Sequence, residues 1–242
     1  MKKFYFLIGI EGSGHYMVRD IISTNLTTED DQNKQLIYDL KHTSPNLCNF
    51  LNYLRVPTHA NNQDSKYRFD EFYSYKDGLL EFQNLIETYD SFYLDYSFPF
   101  NREATRQFSY PSLTAIYEFL LNFSEVKMKI IFTNRDIINA CKSTIKRGHN
   151  ANKIVSAYTS HFSLLEVIHN YKFVQKLKLE YTTISFEKLS KKEKSEISKL
   201  ESFLNIDVTE NDLLKIKQPK NHENDLLEID EFFSNKFYEE IT

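Results

Sequence analysis

Short uninterrupted apolar runs alternate along the chain with longer stretches in which apolar residues recur every three or four positions. The first run, Phe4-Tyr5-Phe6-Leu7-Ile8-Gly9-Ile10, breaks at Glu11-Gly12-Ser13-Gly14, and Met17, Val18, Ile21 and Ile22 then return at helical spacing. That pattern predicts a buried parallel strand, a glycine turn and an amphipathic helix. Further strands are expected at Gln35–Leu40, stopped by His42 and Ser44-Pro45, at Ser91–Tyr96, ending near Asp95, at Met128–Thr133 and at Glu180–Ser185. Helices are expected over Asn46–Leu54, Asp77–Ile86, Pro111–Phe123, Ile137–Arg147, Ala151–Tyr171, Glu193–Leu204 and Leu213–Ile216, with a last amphipathic stretch through Leu226, Phe232 and Phe237. Strands that alternate with helices form one parallel α/β sheet, here of about five strands flanked by helices, and we expect one domain spanning 1–242.

Composition changes this picture little. The chain has 242 residues, 41% of them hydrophobic and 26% charged, which is ordinary for a globular protein and enough for a sizeable core. A formal net charge of −4 argues against a general nucleic-acid binder. Cys48 and Cys141 are the two cysteines and have no metal-ligand spacing, so a reducing compartment is the default. Met1-Lys2-Lys3 before an apolar run imitates a signal peptide, but Glu11 interrupts the run. The expectation is a cytoplasmic first strand and no membrane or nucleic-acid partner.

In a parallel sheet, ligands bind beyond the carboxyl ends of the strands. The glycine turn lies there. Gly9 and Gly14 have the spacing of the phosphate loop, yet His15 stands where its lysine belongs and Tyr16 where its Ser or Thr belongs. The loop therefore keeps an anion cradle at a helix N-terminus and lacks the hydroxyl that ligates Mg²⁺. Arg135 follows the fourth strand, and Ser143 comes eight positions later, two turns into the next helix. A guanidinium fork and a hydroxyl suit a phosphate; the competing reading pairs Arg135 with Asp136 or Glu187.

Taken together, Gly9–Tyr16, the run Ile130-Ile131-Phe132-Thr133-Asn134-Arg135-Asp136 with Ser143, and Phe186-Glu187-Lys188-Leu189 before a charged helix resemble the sulfotransferases that use 3′-phosphoadenosine 5′-phosphosulfate. The Glu-Gly-Ser-Gly-His loop and Ser97-Phe98-Pro99 resemble a divergent branch of that family, and the likeness covers about residues 3–206. It implies a three-layer P-loop-type fold. It also implies a 5′-phosphosulfate held by Gly9, Gly12, Ser13, Gly14, His15 and Tyr16, a 3′-phosphate held by Arg135 and Ser143, and Phe186 near adenine. Family members carry Lys or Arg within the loop, at the position of Gly12, and close the site with a C-terminal Arg-Lys-Gly element. This chain has no such element; Lys217 and Lys220 are the cations nearby in sequence.

The resemblance implies transfer of a sulfuryl group to a hydroxyl or amine of a carbohydrate, small molecule or peptide, without a metal, leaving adenosine 3′,5′-bisphosphate. His42, at the end of the second strand, is the first candidate for the base, with Asp95 and Glu11 as alternatives. His15 is either a protonated substitute for the loop cation or a neutral donor. The loops Pro57–Ser74 and Ser97–Ser109 are where an acceptor would be recognised. A P-loop kinase of a nucleoside or metabolite and a non-catalytic nucleotide-binding protein are the alternatives.

Overall fold

In the computed structural model, residues 1–24, 37–54, 73–98, 113–146 and 153–216 are described. Five strands form one parallel sheet in the order β2-β3-β1-β4-β5: β1 (Lys2–Ile10), β2 (Ile37–Asp39), β3 (Ser91–Phe98), β4 (Val126–Asn134) and β5 (Glu180–Ser185). β1 is central, pairing with β3 on one side and β4 on the other. Its apolar run is continuous because both faces are covered: Phe4, Tyr5, Phe6, Leu7 and Ile8 are fully buried.

Alternation along β1 sends its side chains into two cores. Phe4, Phe6 and Ile8 join Leu47 and Leu51 of α3 (Pro45–Tyr53), Phe82 and Ile86 of α4 (Tyr75–Thr88), Ile116 and Phe119 of α5 (Leu113–Leu120) and Val174 of α7 (Lys153–Lys176). Tyr5 and Leu7 join Val18, Ile21 and Ile22 of α1 (His15–Ser23), Leu189 of α8 (Phe186–Ser190) and Leu200 and Leu204 of α9 (Lys194–Leu204). The result is the expected three-layer, P-loop-like α/β fold. Among the described residues no helix is long and apolar enough to cross a membrane.

Several boundaries differ from expectation, and polar caps account for most of them. Within the described residues the second strand is only Ile37–Asp39, because the Asp39 carboxylate accepts from Lys41 N and His42 N and opens a helical turn, α2 (Leu40–Thr43). Ser74 and Asp77 form a capping box that starts α4 two residues early. Ser185 Oγ accepts from Lys188 N, so the turn after β5 is the helix α8. β3 runs on to Phe98, which leaves Asp95 inside the strand opposite Leu7. α6 (Ile137–Lys146) starts where expected, with Asp136 Oδ1 accepting from Asn139 N, and α10 (Glu210–Lys215) starts three residues before its expected position on a Thr209–Asp212 capping box. Pro111, Arg147, the Pro57–Lys66 loop, Lys217, Lys220 and the last amphipathic stretch lie outside the described residues.

The first core is mostly aromatic. Phe82 contacts Phe4, Phe92, Phe119 and Phe123 with ring centroids 4.9–6.0 Å apart. Phe82→Ala is expected to lower the unfolding free energy by about 3–5 kcal/mol. Leu80→Ala, at a site 54% exposed on the same helix, should change it by less than about 0.5 kcal/mol. Urea unfolding of both variants checks the pair.

Candidate functional site

Chain order and sheet order make a crevice at the carboxyl edge between β1 and β4. From β1 the chain crosses toward β2 and β3; from β4 it crosses the other way, to β5. Ligands in open α/β sheets bind at such a reversal. The glycine turn after β1 and Arg135 after β4 meet there.

The turn is tight and specified residue by residue. Ser13 N donates to Ile10 O at 2.9 Å, and Gly12 has φ +85°, the arrangement of a type II turn with glycine at its third position. A Cβ on Gly12 would also lie 2.5 Å from Ala140 O on α6. Gly14, at φ +81°, precedes α1, and a Cβ there would overlap the Phe186 ring. A Cβ on Gly9 would overlap Thr133 Oγ1 and Ser13 Oγ, which are themselves bonded at 2.7 Å. Three glycines are thus needed for close approach as well as for turning.

β4 and its helix complete the crevice. Arg135 Nη1 donates to Gly12 O at 2.6 Å, and its guanidinium carbon sits 4.0 Å from the centre of the Phe186 ring. Thr144 Oγ1 donates to Glu11 O at 3.3 Å. Glu187, the competing partner for Arg135, instead accepts from Asp136 N and Ser185 Oγ. Ser143 is buried on α6, and Phe186 is 9% exposed, packed between the turn and Arg135.

A second group of charged side chains lies on the β3 side of the turn. His15 opens α1 with its imidazole 2% exposed; Glu11 and Asp95 are buried beside it. Burial pushes the His15 imidazole below its ordinary value of 6.5, while Glu11 and Asp95 pull it upward and Lys41 and Arg19 oppose them. Tyr16 stacks against His15 with centroids 4.1 Å apart and carries Arg19 over its ring at 4.4 Å. Desolvation raises the Tyr16 phenol, so it stays protonated at neutral pH. Asp95 Oδ1 accepts from Lys41 Nζ at 3.4 Å. His42, at the exposed end of α2, is 64% exposed, with Nε2 3.9 Å from Asp39 Oδ2.

The structure therefore brings Gly9, Gly12, Ser13, Gly14, Arg135 and Phe186 into one crevice, and His15, Tyr16, Glu11 and Asp95 into a cluster beside it. His42 stands on the outer side of Asp39. Sequence reading passed over Lys41, Tyr93, Thr133 and Thr144. Tyr93 and Asp95 were readable as same-face neighbours from their two-residue spacing; Lys41 reaches Asp95 only through tertiary structure. Among the described residues no group of His, Cys, Asp or Glu could hold a metal ion. Fold and turn define a three-layer α/β protein with a glycine-turn crevice at its strand crossover. The chain matches no model of a known protein family, and a search of curated proteins finds no match.

Placing a cation in the turn by Gly12→Lys is expected to destabilise the protein by about 1–3 kcal/mol, because φ is positive and Ala140 O blocks the Cβ. Chemical denaturation measures it. For His15 the depressed folded pKa means that the unfolded chain takes up its proton first. Its contribution to stability is present above 6.5 and is lost as pH falls through the lowered folded value. The wild-type unfolding free energy should fall over that interval, with a flatter profile for His15→Asn. Equilibrium unfolding at a series of pH values compares the two.

Proposed function

We propose that the chain binds 3′-phosphoadenosine 5′-phosphosulfate in the β1/β4 crevice and transfers its sulfuryl group to a hydroxyl or amine acceptor. The observation that carries this reading is the bond between Arg135 Nη1 and Gly12 O at 2.6 Å, because two anion-binding elements far apart in sequence share one crevice. The glycine turn and the start of α1, where Ser13 N and Met17 N are already taken by Ile10 O and Gly14 O, suit the 5′ anion through the other backbone N–H groups of the turn and the helix end. Arg135 and Ser143 suit the 3′-phosphate, and the Phe186 ring suits the base. When bound, the nucleotide supplies the activated sulfuryl group; the protein supplies position and electrostatic complementarity.

The residue after His15 is Tyr16, whose ring lies between His15 and Arg19. It does not offer the short hydroxyl that a Mg²⁺-dependent kinase places there. One observation favours the non-catalytic alternative: Gly9–Tyr16 contains no Lys or Arg, and the packing at Gly12 leaves no room for one.

Adenosine 3′,5′-bisphosphate in the presence of EDTA should raise Tm by about 5–10 °C at a hundredfold excess over Kd. Arg135→Ala should abolish the rise. No shift with this ligand alongside a shift with Mg·ATP would sink the proposal in favour of a kinase. Binding without transfer to any of a broad acceptor panel would favour the non-catalytic reading.

A further inference from the structure

Among the described residues, three buried polar atoms on the α1 side of the sheet have no hydrogen-bond partner: Tyr93 OH, Asp95 Oδ2 and His15 Nδ1. Their residues are 0%, 1% and 2% exposed. Tyr93 and Asp95 alternate on β3 and so face the same side; Tyr93 belongs to the core that packs against α1, and α1 opens at His15. Asp95 acts electrostatically on both the His15 imidazole and the Tyr93 phenol, so it lies near each of them. An unsatisfied buried polar atom is costly, and folded proteins avoid that cost with a hydrogen-bond partner, often a bound water or ligand.

The chemistry of the missing partner follows from the atoms that await it. Lys41, oriented by the Asp39 cap of α2, occupies Asp95 Oδ1 and leaves Oδ2 as a single directed acceptor. A carboxylate oxygen only accepts. The imidazole, kept neutral by burial, has one donor and one acceptor nitrogen, and the phenol can do either. Such a set wants O–H donors. A phosphate or carboxylate would meet Glu11, Asp39 and Asp95, all buried close by, and a ligand cation would meet Lys41 and Arg19. The complement is an uncharged hydroxyl group.

We propose that Tyr93, Asp95 and His15 form a subsite for a hydroxyl of a neutral polyol, with Asp95 Oδ2 as the acceptor of its proton. The binding part stands on the unpaired atoms; the proton transfer rests on the sulfuryl-transfer reading. In that step the O–H bond of the polyol breaks and its proton goes to Asp95. The oxygen bonds to sulfur, and the bond between sulfur and the 5′-phosphate breaks, its electron pair leaving with the nucleotide. Tyr93 and His15 orient the oxygen.

The test follows the His15 ring nitrogens by ¹⁵N NMR while D-glucose, D-galactose or myo-inositol is added, with D-glucuronate as the charged comparison. At least one neutral polyol should move the Nδ1 signal saturably. Asp95→Asn and Tyr93→Phe, both close in shape to the native residue, should weaken that response about tenfold to a hundredfold. Circular dichroism confirms that each variant is folded, and if one is not, the other carries the comparison. With sulfuryl donor present, Asp95→Asn should lower kcat about a hundredfold while adenosine 3′,5′-bisphosphate still raises Tm. The subsite is overturned if no neutral polyol moves the signal, if glucuronate moves it equally, or if both variants respond like wild type. A polyol response without any Tm rise from adenosine 3′,5′-bisphosphate would keep the subsite and refute the cofactor reading alone.

Discussion

The candidate site depends on how closely the turn after β1 can approach β4 and its helix. Ile10 O and Ser13 N close the turn, Ser13 Oγ meets Thr133 Oγ1, and Arg135 reaches across to Gly12 O. Each contact needs a glycine nearby, because a Cβ at position 9, 12 or 14 would occupy the space that Thr133, Ala140 or Phe186 fills. The same packing that builds the crevice also prevents Gly12 from bearing a side chain. A cation at position 12 and this turn exclude one another, and the guanidinium that reaches Gly12 comes from Arg135, just after the neighbouring strand.

Burial separates the two halves of the site by chemistry. On the β4 side, backbone groups of the turn, the Arg135 guanidinium and the Phe186 ring lie together. On the β3 side, Glu11, Asp95 and His15 are almost wholly enclosed, and desolvation keeps the imidazole neutral despite two carboxylates that favour its charge. That balance matters because a neutral imidazole beside a carboxylate handles protons, whereas an imidazolium would mostly neutralise charge. His15 therefore serves better as a neutral hydrogen-bonding group than as a replacement for the loop lysine.

Much of the architecture was legible in the residues alone. Uninterrupted apolar runs identify strands covered on both faces, and the glycine spacing marks the turn, because only these patterns satisfy a buried parallel sheet and a positive φ. Boundaries set by polar caps were less legible. Asp39 ends β2 and starts α2 through its own side chain, a competition between strand and turn that apolar periodicity does not register. Hence His42, read as a strand end on the ligand edge, is 64% exposed on a helical turn, and Lys41 beside it is the residue that reaches Asp95.

By itself the sequence determined the class of fold, the place of the turn and the presence of His15 and Tyr16 where a phosphate loop has Lys and Ser or Thr, since these depend on local pattern and residue type. Tertiary structure decided the rest. It set the strand order that faces Arg135 toward Gly12, the burial that neutralises His15, and the register that puts Tyr93 and Asp95 on one face beneath α1. The physical reason is distance along the chain: Gly12 and Arg135 are bonded across 123 positions, and Lys41 and Asp95 across 54. No local preference encodes a contact of that range; only the closing of the sheet does.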